Sequence, residues 1–225
     1  MGGVSDQRRP KPYEVEVTVG VGRDRAWEAV TQPPLLRQWF GWDYDGLDAE
    51  IRHIFVDEAT LLAPEQMGWA DGSYVAVTGD DDRATIRVAR EGPPAGDPDR
   101  YDAIEEGWRS FLILLRHFLD EHPAGARRTL YLTGTTTGGR ALEVVGGEAT
   151  RVGKRVAWLV DADGHLVVVA GREPLNSLDT ERVEVTVSTF GLDDAAFDVV
   201  RKRWAERWAP VARDARVTTA DTPAP

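Results

Sequence analysis

The chain has 225 residues, of which 42% are hydrophobic and 29% charged, a composition typical of a globular protein with a substantial core. Its formal net charge of −11 argues against general binding to nucleic acid or to anionic membranes, because both would repel it. The absence of cysteine excludes disulfides, thiolate metal sites and cysteine nucleophiles.

Residues 1–12 carry charges but lack the apolar segment of a secretory signal, so we expect a flexible N-terminus and a cytoplasmic protein. No apolar run reaches the roughly 20 residues that a membrane-spanning helix needs. Even the most apolar segment contains Arg109, Arg116 and His117. We therefore expect no membrane partner.

The first predicted element is a half-buried strand at Tyr13–Val19, where apolar and polar side chains alternate. A short helix follows, with Asp24 as its N-cap, and a Pro-Pro pair at 33–34 ends it. A second short helix is predicted from the apolar residues that come next, Leu35, Leu36, Trp39 and Phe40.

Residues 49–91 are rich in β-forming sequence and predict three or four antiparallel strands, at AEIRHIFV, ATLLA, SYVAV and ATIRVA. A Gly/Pro/Asp-rich loop at 92–100 leads to a long amphipathic helix from Ala103 to His122, which we expect to lie against a sheet. Its apolar face comprises Ile104, Trp108, Phe111, Leu112, Leu115, Phe118 and Leu119. Ile113 lies nearly opposite, so it is either covered by a second module or singly exposed.

The second half predicts further strands at RTLYLTG, RALEVV, KRVAWLV, HLVVVA and ERVEVTVSTF. The turn from Asp161 to Gly164 predicts a hairpin between two of them. A final helix begins near Asp193 as its N-cap, and residues 213–225 predict a frayed tail. Because VEVTV occurs in both halves and the order of elements repeats, we expect two related modules.

Two motifs in the first half resemble those of a known family. The pattern VWEAxTxPxxLxxWF is matched by Ala26, Trp27, Glu28, Ala29, Thr31, Pro34, Leu36, Trp39 and Phe40, and Gly107–Trp108 precede a long apolar helix as in its closing pattern. The chain therefore resembles the START-like, helix-grip superfamily known as SRPBCC. Within it, the resemblance is to the subgroup similar to the C-terminal domain of the activator of the heat-shock ATPase.

The resemblance implies an α+β helix-grip fold over residues 13–123, in which a curved antiparallel sheet wraps around a long C-terminal helix. Residues 127–212 resemble the smaller, degenerate α+β module of some bacterial relatives, since the first helix pair has no counterpart there. We therefore expect a domain at 13–123, a second module at 127–212 and a flexible tail.

The resemblance also implies an apolar ligand cavity between the sheet and the long helix. Its candidate lining is Trp39, Phe40, Trp42, Tyr44, His53, Phe55, Trp69, Tyr74, Trp108, Phe111 and Leu115. Because buried aromatic residues also fill protein cores, we expect most of these side chains to pack rather than to touch a ligand.

No catalytic, metal or cofactor site is predicted. The four histidines are scattered without metal-ligand spacing. In an ideal strand Glu50 and His53 would point to opposite faces, so they predict no acid/base pair. We expect a protein that binds a small apolar molecule without catalysis. The alternatives are a chaperone regulator or interaction module with a protein partner or homodimer, and a polyketide cyclase-like or hydrolase-like enzyme with a cavity-facing acid or base.

Overall fold

The computed structural model describes residues 10–93, 97 and 99–223, which form two antiparallel sheets and six α-helices. The helices are α1 (Arg23–Thr31), α2 (Pro33–Leu36), α3 (Leu47–Arg52), α4 (Ala103–Glu121), α5 (Gly138–Val145) and α6 (Asp194–Trp208), and a π-helical turn at His53–Asp57 extends α3. The fold class is α+β. Within the described residues, no helix combines the length and apolar character needed to cross a bilayer.

The first sheet has the strand order β1-β5-β4-β3-β2. Its strands are β1 (Tyr13–Val19), β2 (Thr60–Ala63), β3 (Gln66–Gly68), β4 (Ser73–Gly79) and β5 (Ala84–Arg90). In the β1–β5 register, Val15 lies opposite Val88 and Val17 opposite Ile86. The alternation of burial along β1 follows from one face packing on α4 while the other meets solvent.

The second sheet has the order β11-β6-β10-β9-β8-β7. Its strands are β6 (Arg127–Thr136), β7 (Thr150–Val152), β8 (Val156–Val160), β9 (Leu166–Gly171), β10 (Glu181–Phe190) and β11 (Arg213–Thr218). Strand β9 is buried on both faces, which explains its unbroken apolar sequence. Leu166 and Val168 join the core around α4, and Val167 and Val169 join the core under α5 and α6.

Helix α4 lies between the two sheets. Asp102 caps it by accepting hydrogen bonds from the backbone N–H groups of Ile104 and Glu105. One side of α4 packs on β1 and another faces β8 and β9. Ile113 is 9% exposed and belongs to the core that includes Val156 and Val168 of the second sheet, so the covered alternative holds.

Two predicted strands are helices instead. Residues 49–56 lie in α3 and the π-helical turn, which together bury Leu47, Ile51 and Phe55 at four-residue spacing. Residues 140–145 lie in α5, which buries Ala141 and Val145 at the same spacing and is capped by the Thr137 hydroxyl. Short apolar runs fit the period of a strand or that of a helix. In both segments the buried residues are four apart, which is the helical spacing.

The ends of several other predictions also change. Gly22, not Asp24, is the N-cap of α1, and Asp24 lies in the first turn. Residues 213–218 form β11 on the edge of the second sheet instead of a frayed tail. At the N-terminus, residues 1–9 lie outside the described part of the chain, whereas Lys11 is held by an ion pair of 2.8 Å to Glu105. Asp193 caps α6 as predicted.

Candidate functional site

A cavity of about 710 Å³ lies between α4, the loop that follows α2, and the second sheet. Residues 13–123 contribute the loop at 40–42, the α3 region, the β3–β4 connection and the N-terminal half of α4. The second sheet contributes side chains from β6, β9 and β10. The cavity is therefore built by both halves of the chain.

Aromatic side chains form one wall. The ring centroid of Phe40 lies 4.8 Å from that of Phe111, and the ring centroids of Trp69 and Trp108 are 6.0 Å apart. Trp69 is fixed by a hydrogen bond of 2.7 Å from its Nε1 to the Ile54 carbonyl. Phe55 packs edge-on behind Phe40, with centroids 4.9 Å apart. The wall is rigid because each ring is held by another ring or by the backbone.

Trp42 and Tyr131 form a stacked pair at the cavity. Their ring centroids are 3.8 Å apart and their planes differ by 5°. The indole Nε1 of Trp42 is buried and has no hydrogen-bond partner among the described residues. A buried N–H group without a partner costs free energy, so this donor is a polar weak point in the wall that Trp42 and Tyr131 form.

The loop that carries Phe40 and Trp42 is anchored to the second sheet by Arg127. This guanidinium is buried and donates to the carbonyls of Phe40 and Gly41 at 3.0 and 2.8 Å, and to the Ser188 hydroxyl. Burial lowers the pKa of Arg127 to about 10, so it stays charged at neutral pH. These bonds fix the aromatic wall against the second sheet.

Asp43 also links this loop to the second sheet. Its carboxylate accepts hydrogen bonds from the backbone N–H of Thr129, at 2.7 Å, and from Arg37. Its own N–H donates to the Thr129 hydroxyl. The carboxylate is almost completely buried, and it is tolerated because both its charge and its lone pairs find partners.

A glycine on α4 leaves space for the cavity on that side of the helix. Gly107 faces the cavity, and a Cβ placed there would meet only Phe111 Cε2, at 3.8 Å. Across the cavity stand Val168, Ala170 and Gly171 of β9. Small residues on both sides leave the space that larger side chains fill between α4 and β1.

Glu106 is the acidic group on α4 that lines the cavity. Burial raises its pKa above the ordinary value for glutamate, and the opposing effect of Arg109 is smaller. The Arg109 Nε and the Arg155 Nη1 lie 3.6 and 3.8 Å from its carboxylate, too far for close hydrogen bonds. Its Oε2 has no hydrogen-bond partner among the described residues.

Polar side chains of the second sheet also border the cavity. Arg182 donates to Glu184 at 3.1 Å, and both side chains border the cavity with Arg172. Burial, with a smaller effect of Glu184, strongly raises the pKa of Tyr131, so its hydroxyl stays protonated at neutral pH. The arrangement offers a donor, an acceptor and two guanidinium groups beside an aromatic surface.

Five of the predicted ligand-binding residues line this cavity: Phe40, Trp42, Trp69, Trp108 and Phe111. The remaining six lie outside its wall in the described structure. Trp39, Phe55 and Leu115 are buried in the core. Tyr44 donates to Glu50 at 2.8 Å, Tyr74 points to Glu91, and His53 is exposed.

The predicted relation of Glu50 and His53 also changes, because both lie on a helical segment rather than on a strand. Glu50 borders the cavity while His53 meets solvent, so they form no acid/base pair. The wall residues that sequence reasoning missed are mainly Glu106, Tyr131 and the β9 and β10 side chains. Parity along β10 would have placed Arg182, Glu184 and Thr186 on one face, although nothing in the sequence shows that this face meets α4.

No protein-family model matches the chain, and no curated protein matches it. Among solved structures, the chain is similar to DynU16, a protein of the dynemicin biosynthetic locus, with 16% identity and a TM-score of 0.31 over 88% of this chain and 95% of that one. It is also similar to the di-domain ARO/CYC BexL from the BE-7585A biosynthetic pathway, with 13% identity and a TM-score of 0.35 over 88% and 94%. These TM-scores are too low for either similarity to support a functional assignment.

Proposed function

We propose that this protein binds a small hydrophobic molecule in the cavity between α4 and the second sheet. The observation that carries the proposal is the cavity itself, whose volume of about 710 Å³ is that of a small-molecule site. Its aromatic wall supplies apolar contact, and a few polar groups of the second sheet fix orientation. This combination is typical of ligand pockets.

The aromatic wall provides most of the proposed binding free energy. A ligand that buries about 300 Å² of apolar surface gains roughly 7 kcal/mol, before the cost of ordering it, at about 25 cal/mol per Å². The guanidinium groups of Arg172 and Arg182, which border the cavity, favour a ligand with an acceptor oxygen. The proposed ligand therefore has an aromatic or aliphatic body and at least one oxygen.

We also propose a helix-grip architecture with residues 13–123 and 127–212 as two related modules that share α4. The packing of α4 on β1 and its position opposite β9 support this division of the chain. The finer resemblance to the heat-shock ATPase activator stays a prediction, as does a protein partner or homodimer. The exposed leucines of edge strand β2, Leu61 and Leu62, are where we would look for such a partner.

The proposal is tested by filling the cavity instead of emptying it. The Cβ of a leucine at the cavity-lining Gly107 would meet only Phe111 Cε2, at 3.8 Å, and replacing a helix glycine gains about 1 kcal/mol of helix propensity. We expect Gly107→Leu to bind the fluorescent probe anilinonaphthalene sulfonate at least tenfold more weakly than the parent protein, without a lower Tm. Binding and stability are thereby separated.

Gly139→Leu is the matched control. Gly139 lies at the exposed start of α5, where an added Cβ meets nothing within 4 Å. It changes helix propensity in the same direction and leaves the cavity unchanged, so probe affinity should equal that of the parent. Equal probe affinity in the Gly107→Leu and parent proteins would overturn the proposal.

A second candidate function is proton transfer to or from the bound molecule. It rests on Glu106, a cavity-lining carboxyl whose pKa is raised by burial toward the range useful for acid/base chemistry. The test uses the molecule that copurifies with the protein, incubated with the protein in deuterated water. Glu106→Gln should still bind it but no longer promote exchange of its carbon-bound hydrogens, and exchange at an unchanged rate would contradict the role.

A further inference from the structure

The β8–β9 hairpin gathers three metal-ligating side chains at its tip. A ligand atom from each of Asp161, Asp163 and His165 lies within 4.8 Å of the others. We propose that this cluster binds a divalent transition-metal ion such as Zn²⁺. The residues alternate along the chain, at positions i, i+2 and i+4, and the turn brings them together.

His165 is the observation that distinguishes this cluster from an ordinary acidic turn. The residue is 8% exposed, and its Nδ1 is buried without a hydrogen-bond partner in the described part of the chain. This nitrogen points toward Asp161 Oδ2, at 3.4 Å. A buried imidazole nitrogen without a partner costs free energy, and a metal ion bound to it removes that cost.

The turn prepares Asp161 to act as a ligand. Its Oδ1 accepts hydrogen bonds from the backbone N–H groups of Asp163 and His165, both at 2.9 Å. These bonds fix the carboxylate and direct its Oδ2 toward the imidazole. Hydrogen bonds to the outer atoms of a ligand are a common way to orient it at a metal.

Arg203 of α6 supports Asp163 in the same way. Its guanidinium forms an ion pair with Asp163 Oδ2, which leaves the other carboxylate oxygen for a metal. The two carboxylates and one guanidinium together carry a net charge of −1, which attracts a cation. Arg203 thus orients a ligand without neutralising the cluster.

The donor set selects the class of metal. One imidazole nitrogen and two carboxylate oxygens suit borderline divalent ions, whereas Mg²⁺ and Ca²⁺ prefer oxygen alone. Ligands at about 2.1 Å in a tetrahedron stand about 3.4 Å apart, so ligand atoms that lie within 4.8 Å of one another must approach by at most about 1.4 Å to close the set. Water completes the coordination.

The cluster lies outside the cavity and has a different role. The cavity residue of β9 nearest to it is Val168, about 10 Å along the strand from His165 at 3.3 Å per residue, and the three-residue spacing places the two side chains on opposite faces of the sheet. The ion would tie the hairpin to α6 through Asp163 and Arg203. The expected effect of the metal is therefore on the stability of the second sheet and not on ligand binding.

The test uses the full chain, free of any affinity tag, dialysed against ZnCl₂ and analysed for bound metal and for Tm. We expect about one zinc ion per chain and a higher Tm with zinc than with chelator. His165→Gln and Asp163→Asn should each weaken zinc binding at least tenfold and remove the rise in Tm. Because the Asp163 side chain is half exposed, we expect Asp163→Asn to fold, and it keeps the test valid if the His165 variant fails to fold.

His53→Gln is the matched control, because His53 is exposed and lies within residues 13–123. Its zinc affinity should equal that of the parent protein. The proposal is overturned if the parent binds no zinc, or if Asp163→Asn binds it as tightly as the parent. A loss of zinc in His53→Gln would overturn it too, since the metal would then lie elsewhere.

Discussion

The two sides of α4 face two sheets and are used differently. Toward β1, Leu112, Leu115 and Leu119 are buried in a continuous core with the valines of the first sheet. Toward β9, Gly107 and Phe111 border a cavity of about 710 Å³. The same helix therefore closes a solid core on one side and lines an accessible space on the other.

Side-chain size explains this difference. The first interface is built from leucine on the helix and valine on β1, which interdigitate and leave no room for a ligand. The second interface places Gly107 opposite Ala170 and Gly171. The cavity therefore exists because large side chains are missing there, and its walls depend on anchoring the loop at 40–42 to the second sheet.

Truncating neighbouring leucines on the two sides of α4 tests whether the two sides are packed differently. Leu115→Ala removes a fully buried side chain from the solid core and should cost about 4 kcal/mol of unfolding free energy, because a new cavity adds to the lost transfer energy. Leu114→Ala borders existing space and should cost only about 1.5 kcal/mol. Urea unfolding measures both, and equal losses would mean that the two sides are packed alike.

A substitution of Arg127 tests the anchor between the loop at 40–42 and the second sheet. Arg127→Ala leaves two buried carbonyls without their donor and should cost about 3 kcal/mol. It should also weaken probe binding, because the Phe40–Trp42 wall loses its anchor. Arg151→Ala, an exposed arginine on β7 of the same sheet, is the control and should change stability by less than about 0.5 kcal/mol. Equal effects of the two variants on urea unfolding would show that the anchor is unimportant.

A smaller effect on stability is expected from Glu106, in the N-terminal half of α4. The raised pKa of Glu106 means that the folded protein holds its proton to higher pH than the unfolded chain. The stability that this carboxyl contributes is fully present below its unfolded pKa and is lost as pH rises through the folded pKa. Glu106→Gln should therefore be more stable than the parent at pH 7, and this gain should shrink toward pH 4.

Glu105→Gln, a substitution of the neighbouring residue, should change the stability at pH 7 in the opposite direction. The Glu105 carboxylate is buried and bonded to Lys11 at 2.8 Å and to Arg109 at 2.7 Å. Its loss should destabilise the protein at pH 7 by about 1.5 kcal/mol. The measurement is urea unfolding at pH 4 and pH 7, and the account of Glu106 is wrong if both variants shift stability in the same direction.

Local sequence predicted much of the fold. The alternation in Tyr13–Val19, the apolar face of α4, the Asp161–Gly164 turn and the Asp193 cap each correspond to an observed element. These signals are local, because periodicity and capping depend on neighbours in the chain. The strand predictions for residues 49–56 and 140–145 were wrong because they also relied on local pattern alone, and a short apolar run fits either a helix or a strand.

The candidate site could be predicted only in part, because it lies between elements distant in sequence. The motif from Trp39 to Trp42 pointed to aromatic wall residues, yet Trp39 turns inward and donates to the Ala29 carbonyl at 2.9 Å. Tyr131 and Glu184 join the wall through the pairing of β6 with β10 and the docking of that sheet on α4. No local pattern reports such docking.

Native mass spectrometry of freshly purified protein, followed by denaturing analysis of any released molecule, tests the central claim most directly. The account predicts a stoichiometric apolar adduct in the parent protein that is absent from Gly107→Leu and retained in Gly139→Leu. An adduct present equally in all three proteins, or a parent that stays empty when mixed with anilinonaphthalene sulfonate, would contradict the claim that this cavity holds a ligand.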